Sequence, residues 1–307
     1  MAGEGGRFRG VGPALVTPMR EDGSLDLDAF ADHVRFCVEG GVHFVVPCGT
    51  TGESATMDGD EQRSVIERCV EAVAGAVPVM AGAGTNRTRE ACERAHAAAD
   101  AGAEAILSVT PYYNKPTPEG LYRHYMEVAD AAGVPVFVYN VPGRTGTNIA
   151  PSTLFRLAEA HPLIVGVKEA TGDMQQMMTI LADRPDGFIV LSGEDYLTLP
   201  LMALGGDGAI SVVANEVPAA MSSLADAALA DDWAAAREVH YRLLPLMRAN
   251  FVESNPIPVK TALALMGRGK AHFRAPLCPL SPDHMAELRA GLEAAGVELT
   301  ALARAGR

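Results

Sequence analysis

Short apolar runs rich in β-branched residues alternate with longer alanine-rich amphipathic stretches, and the alternation recurs eight times over about the first 215 residues. The apolar runs cover residues 12–17, 43–48, 77–83, 105–110, 134–139, 163–168, 188–192 and 208–213. The amphipathic stretches cover about 26–40, 58–74, 88–101, 118–132, 151–160, 174–183 and 197–204. The runs are apolar on both faces, as strands of a parallel sheet covered by helices must be. Strand-then-helix repeated eight times predicts an α/β chain folded as a (β/α)8 TIM barrel. An open doubly wound sheet is the competing architecture, but no GxGxxG opens a helix after the first run. Beyond the eighth run the pattern is helical only, at about 218–230, 233–251, 256–266 and 281–295. These segments predict a C-terminal helical extension, packed on the barrel or on another subunit. The expected division is a barrel domain of residues 1–217 and an extension of 218–307.

Composition agrees with such a core and excludes some partners. Apolar residues make up 48% of the 307 and charged residues 21%, against global disorder. Lys and Arg number 25 against 38 Asp and Glu, a net charge of −13, which repels phosphate backbones and anionic lipid. Nucleic acid and membranes are therefore not expected as partners. The five cysteines are widely spaced, with no CxxC and no Cys/His cluster, and none of the histidines pairs at ligand spacing. Neither a disulfide framework nor a metal site is expected. The first ten residues are Gly-rich and lack an apolar h-region, and no apolar run reaches the ~18 residues of a membrane span. A cytoplasmic location is expected.

In a barrel of this kind the chemistry sits at the C-terminal ends of the strands, and the polar residues cluster there. Lys168 closes the run Leu163-Ile164-Val165-Gly166-Val167. A lysine at that place points into the barrel mouth, where desolvation favours the neutral amine that can attack a ketone and form an imine. By position alone it is equally a lysine paired with Glu169. Gly49-Thr50-Thr51-Gly52 offers two hydroxyls and open backbone N–H groups, a turn that suits a small carboxylate but also serves as a plain polar turn. Tyr112, Tyr113 and Tyr139 are three of seven tyrosines; at a mouth they can relay protons, or they can simply pack. Arg144 lies in a Pro-Gly-rich loop, with a fork able to hold a carboxylate.

Together these segments, with Gly49-Thr50-Thr51-Gly52-Glu53-Ser54, Tyr112-Tyr113-Asn114-Lys115-Pro116, Tyr139-Asn140-Val141-Pro142, Arg144-Thr145-Gly146, Val167-Lys168-Glu169, Ser192-Gly193-Glu194-Asp195 and Asn255-Pro256-Ile257-Pro258-Val259-Lys260, resemble the dihydrodipicolinate synthase / N-acetylneuraminate lyase family of class I aldolases. The resemblance runs from about Gly10 to Ala295. It implies that Lys168 forms a Schiff base with pyruvate and that Thr50 and Thr51 hold its carboxylate. It further implies that Tyr139 moves protons through Thr50, and that Tyr113 completes the relay from the neighbouring subunit of a tight dimer. Gly193 and Ile210 would line the pyruvate site through their backbones, and Arg144 would receive the carboxylate of L-aspartate 4-semialdehyde. The branch that cleaves sialic acids usually lacks an arginine there, so Arg144 points to the synthase branch. The resemblance implies no organic cofactor or metal, and a homotetramer built as a dimer of dimers. Ser54, Ala55, Asn86, Glu90 and Tyr112 match residues of the family's lysine-feedback site, whereas Gly59 and Gln62 stand where inhibitable enzymes often carry histidines. Lysine inhibition is expected weak or absent. Two rival readings stand beside this one: a pyruvate-dependent aldolase or dehydratase of a 2-keto-3-deoxy sugar acid, and a non-catalytic barrel that binds a keto acid.

Overall fold

The structure, a computed structural model, describes residues 4–300. Residues 1–3 and 301–307, at the ends of the two expected domains, lie outside the described residues, as does part of the N-terminal segment read for a signal peptide. The elements run β1 (Gly10–Pro13), α1 (Leu27–Glu39), α2 (Gly59–Val73), β2 (Met80–Gly82), α3 (Thr88–Asp100), β3 (Ala105–Val109), α4 (Pro118–Ala132) and β4 (Val136–Asn140). There follow α5 (Pro142–Thr145), α6 (Pro151–Ala160), β5 (Ile164–Glu169), α7 (Met174–Asp183), β6 (Ile189–Ser192), α8 (Thr198–Ala203) and β7 (Gly208–Ser211). Four helices close the described chain: α9 (Pro218–Leu229), α10 (Trp233–Ala249), α11 (Ile257–Leu265) and α12 (Pro282–Ala294).

The seven strands form one parallel sheet in the order β1-β7-β6-β5-β4-β3-β2. Its two edges meet at residues 43–48: Ala14 of the β1 side bridges Val46, and Val45 bridges Val79 beside β2. The Val46 amide donates to Pro13 at 3.0 Å and the Met80 amide to Val45 at 2.9 Å. The sheet is therefore curled on itself with helices around it, consistent with a (β/α)8 barrel. The eighth pairing is reduced to bridges because Pro47 has no N–H and Cys48 turns to φ 56°. Gly82 passes so close to this turn that a Cβ would lie 2.1 Å from the Cys48 carbonyl oxygen.

Capping residues set the helix starts. Asp26, Thr117 and Asp173 accept from backbone amides at the starts of α1, α4 and α7, and Asp58 with Glu61 forms a reciprocal capping box on α2. The expected first strand, 12–17, is realised two residues earlier: pairing with β7 runs from Gly10 to Pro13, and the Val16 amide instead donates to the Asn215 side chain at 3.1 Å. The loop expected after the fifth run folds into the helical turn α5, started by Pro142 and ended by Gly146 at φ 67°.

Among the described residues the apolar packing falls into four clusters, the smallest made of Val16, Val212, Val259 and Leu263. Phe8, Phe44, Met80, Leu107, Phe137 and Tyr139 fill the barrel interior, with Phe8 edge-on to Phe44 and Phe137 at centroid distances of 5.7 and 5.5 Å. Leu15, Val34, Ile66, Tyr125, Leu154 and Ile180 pack between sheet and helices. Leu224, Leu243, Leu246 and Leu288 of the last helices join Val11 of β1 and Ala209 of β7 in a third cluster. Among the described residues no helix is long and apolar enough to cross a membrane.

Candidate active site

Lys168 and Tyr139 are cross-strand partners on β5 and β4. Both are buried, and the Lys168 Nζ lies 4.3 Å from the centroid of the Tyr139 ring, over its face. Successive residues of a strand face opposite sides, so Glu169 points away from Lys168. Glu169 accepts instead from Asn140 Nδ2 at 3.0 Å, the Thr171 amide at 2.9 Å and Gln176 Nε2 at 3.3 Å. That removes the pairing that would have made Lys168 a structural lysine, and among the described residues its ammonium makes no ion pair. Beside it runs Gly193, whose amide donates to the Glu169 carbonyl at 2.7 Å. A Cβ on Gly193 would stand 3.0 Å from Lys168 Cε and 2.5 Å from the Ala170 Cβ, so the lysine stem occupies the space that glycine leaves. Ile210, on β7, is buried in the same barrel interior.

Two acids follow Gly193. Burial raises the Glu194 carboxyl above the ordinary range, as does the Asp195 charge, while Lys168 and Arg144 pull it back down. Burial raises Asp195 too, although its Oδ2 accepts from the Val212 and Val213 amides at 2.9 and 3.0 Å. Asp195 thereby ties the loop after β6 to the end of β7.

The turn at Gly49–Glu53 closes by Gly52 N–H to Gly49 O and Glu53 N–H to Thr50 O, both 3.1 Å, and the Thr17 hydroxyl donates to Gly52 O at 2.8 Å. Thr51 is buried and its Oγ1 accepts from Asn255 Nδ2 at 2.9 Å; Thr50 is half-buried. Arg144, exposed on α5, donates from Nη2 to the Asn255 carbonyl at 3.3 Å. Asn255 thus links the hydroxyl turn to the arginine, and its own Oδ1 is buried with no partner among the described residues. Below the turn, Glu53 receives the Lys260 ammonium at 2.5 Å, with both side chains almost wholly buried. Burial lowers Lys260 from its ordinary value, and the Glu53 charge opposes this. Neither Asn255 nor the Glu53–Lys260 pair carried a role in the sequence reading. The only signal was their presence in its motifs, since the paired residues are 207 apart.

The structure therefore sets Lys168 against Tyr139 on one side and Gly193 on another, and links Thr51 to Arg144 through one asparagine. Tyr113 is not in this cluster. It is 89% exposed, with φ 71°, and its amide donates to Thr145 O at 3.3 Å. The residues matched to a feedback site are spread over neighbouring loops. Ser54 and Ala55 occupy a 3-10 turn after Glu53, the Asn86 carbonyl accepts from Asn114 at 2.9 Å, and Tyr112 meets Thr85 at 3.4 Å. Glu90 is engaged by Arg94 at 2.6 Å and lines, with Gln62 and Arg63, a cavity of ≈ 380 Å³ between α2 and α3. Among the described residues no group of three or more His, Cys, Asp or Glu side chains could hold a metal ion.

Comparison with known proteins bears on this arrangement. The model of the Dihydrodipicolinate synthetase family matches residues 7–295. The 4-hydroxy-tetrahydrodipicolinate synthase of Nitratidesulfovibrio vulgaris is 52% identical over 291 residues, 95% of this chain and 99% of that one. The crystal structure of the Aquifex aeolicus dihydrodipicolinate synthase superposes with a TM-score of 0.93 at 43% identity, covering 95% of this chain and 100% of that one. The chloride-inhibited Acinetobacter baumannii dihydrodipicolinate synthase, solved as a complex with pyruvate, gives a TM-score of 0.92 at 43% identity over 94% of this chain and 99% of that one.

Proposed function

The chain belongs to the Dihydrodipicolinate synthetase family, and on that premise we propose that it is a 4-hydroxy-tetrahydrodipicolinate synthase, a Schiff-base lyase of lysine and diaminopimelate biosynthesis. The observation that carries the reading is Lys168: an amine inside the barrel with no ion pair among the described residues, against a tyrosine face and over a glycine. The neutral amine adds to the pyruvate ketone and water leaves, giving an imine. The imine draws electrons from C3, which loses a proton and becomes an enamine. C3 then attacks the aldehyde carbon of L-aspartate 4-semialdehyde. The amino group of that substrate displaces Lys168 at the imine carbon and closes the ring.

Thr50 and Thr51 hold the pyruvate carboxylate, with the backbone at Gly193 and Ile210 lining the site. Tyr139 is the proton carrier, working through Thr50. Tyr113, exposed on one chain, reaches the site of the neighbouring subunit, and the assembly is a homotetramer made of two such dimers. Arg144 takes the semialdehyde carboxylate. No organic cofactor or metal is required, because the lysine supplies the electron sink. A cytoplasmic location goes with this reading, as does a barrel of residues 1–217 followed by a helical extension of 218–307. Ser54, Ala55, Asn86, Glu90 and Tyr112 remain the place for feedback by lysine, weak for want of histidines at Gly59 and Gln62.

The test is pyruvate with a panel of aldehydes, on the wild type and on Arg144→Ala. Aspartate semialdehyde should be the preferred partner. Arg144→Ala should lower its kcat/KM by roughly 10- to 100-fold, the loss of a charge-assisted contact of about 1.5–3 kcal/mol. A preference for sugar-derived aldehydes, with indifference to Arg144→Ala, would move the chain to the sugar-acid aldolases.

A further inference from the structure

Burying a lysine and a glutamate together is a poor way to stabilise a fold, because desolvation of the two charges consumes most of their attraction. The Lys260–Glu53 pair is nevertheless buried at both ends, with side chains 2% and 1% exposed. Its surroundings suggest another use. Glu53 has φ 57°, a left-handed conformation that is uphill for a residue with a Cβ and persists only where neighbours over-determine it. The neighbours here are specific. The carboxylate takes the Lys260 ammonium at 2.5 Å and the Arg274 amide at 3.3 Å. The Glu53 carbonyl takes the Thr56 amide at 3.0 Å and the Thr56 hydroxyl at 2.9 Å.

Lys260 lies on α11, and Asn255, just before α11, donates to Thr51 Oγ1 at 2.9 Å. One segment of chain therefore grips the same turn at two points, two residues apart. The grip sets the chemistry of the turn. With Asn255 donating to its oxygen, the Thr51 hydroxyl must send its own proton elsewhere. Among the described residues neither the Thr50 nor the Thr51 hydroxyl donates to a group of the chain, which leaves both protons for a ligand.

We infer that Lys260 and Glu53 are positioning residues of the keto-acid site, their buried ion pair holding the Gly49–Glu53 turn in the shape that receives a carboxylate. This rests on the reading of Lys168 as the imine-forming residue and deepens it. Neither residue touches the substrate; both act through Thr50 and Thr51. Loss of the pair therefore weakens pyruvate binding and leaves the chemistry of the bound imine largely intact.

The experiment measures the pyruvate concentration at which borohydride trapping on Lys168 is half-maximal, with steady-state KM and kcat beside it. Lys260→Met should raise both the half-trapping concentration and the KM for pyruvate by about ten-fold, with kcat within about three-fold of wild type, the pattern of lost uniform binding. Lys260→Arg keeps the cation and should return to within about three-fold of wild type. Glu53→Gln, which keeps the shape and removes one charge, is measured in parallel in case Lys260→Met does not fold, and should shift half-trapping by about three-fold. A folded Lys260→Met or Glu53→Gln that traps pyruvate at the wild-type concentration, whatever its melting temperature, overturns the inference. A wild type that is not trapped at all overturns the imine reading instead, so the two failures are distinguishable.

Discussion

At the residue scale the site depends on what Lys168 is not bonded to. Strand alternation turns Glu169 away and lets its carboxylate collect Asn140, Thr171 and Gln176. The lysine stem then runs closely past position 193, which lacks a Cβ. Gly193→Ala would place a methyl 2.5 Å from the Ala170 Cβ and 3.0 Å from Lys168 Cε. Relieving that overlap should cost about 1–3 kcal/mol of stability, and displacement of the amine should lower kcat about 100-fold. Denaturant melts and steady-state rates on the variant check this, and an alanine enzyme with wild-type kcat would contradict the geometry. Lys168 itself was legible in the sequence because a charge ending an apolar run is conspicuous. Gly193 was legible only through the family motif. The contact of Asn255 with Thr51, across 204 residues, and of Lys260 with Glu53, across 207, leave no local mark, since pairings that depend on closure of the whole barrel carry no spacing rule.

At the element scale the helices were the legible part. An Asp, Thr or Ser cap precedes α1, α2, α4, α7, α10 and α12, whereas α3, α6, α9 and α11 start without one; α2 adds the reciprocal Asp58–Glu61 box, with the Glu61 amide donating at 2.9 Å. Asp58→Ala should cost about 1 kcal/mol and lower the melting temperature by about 1.5 °C without changing kcat. Calorimetry checks the first and rates the second; an unchanged melt would mean that the cap contributes nothing in place. Among the described residues seven of the eight expected strands form, in the expected order but with different extents. Residues 43–48 read as a full strand, whereas Pro47 and the left-handed Cys48 leave only the bridges of Val45 and Val46. The helical turn α5, which carries Arg144, was hidden because Pro142-Gly143 reads as loop. Proline at the first helical position and a left-handed Gly146 after the last make it helical.

At the scale of the whole molecule, the closing helices touch the candidate site as well as the core. The segment before α11 reaches Thr51 and α11 reaches Glu53, while α9 packs on β1 and α1. The buried titratable groups add a pH dependence. Burial pushes His33 down to about 4 against its hydrogen bond to the Asn215 side-chain oxygen, and His124 down to about 4 as well. Both are therefore neutral in the folded chain near pH 5 while the unfolded chain, at about 6.5, binds the proton. Their contribution is present above about 6.5 and is lost as pH falls toward about 4. The melting temperature should fall through that window, and His124→Gln should flatten the fall; an equal slope in the variant would show that His124 takes no part.

All of this converges on one amine. Purified protein incubated with pyruvate and borohydride, then digested and mapped by mass spectrometry, should carry a single carboxyethyl group on Lys168, and Lys168→Ala should carry none. An unmodified Lys168, or a Lys168→Ala protein that still condenses pyruvate with an aldehyde, would contradict the account.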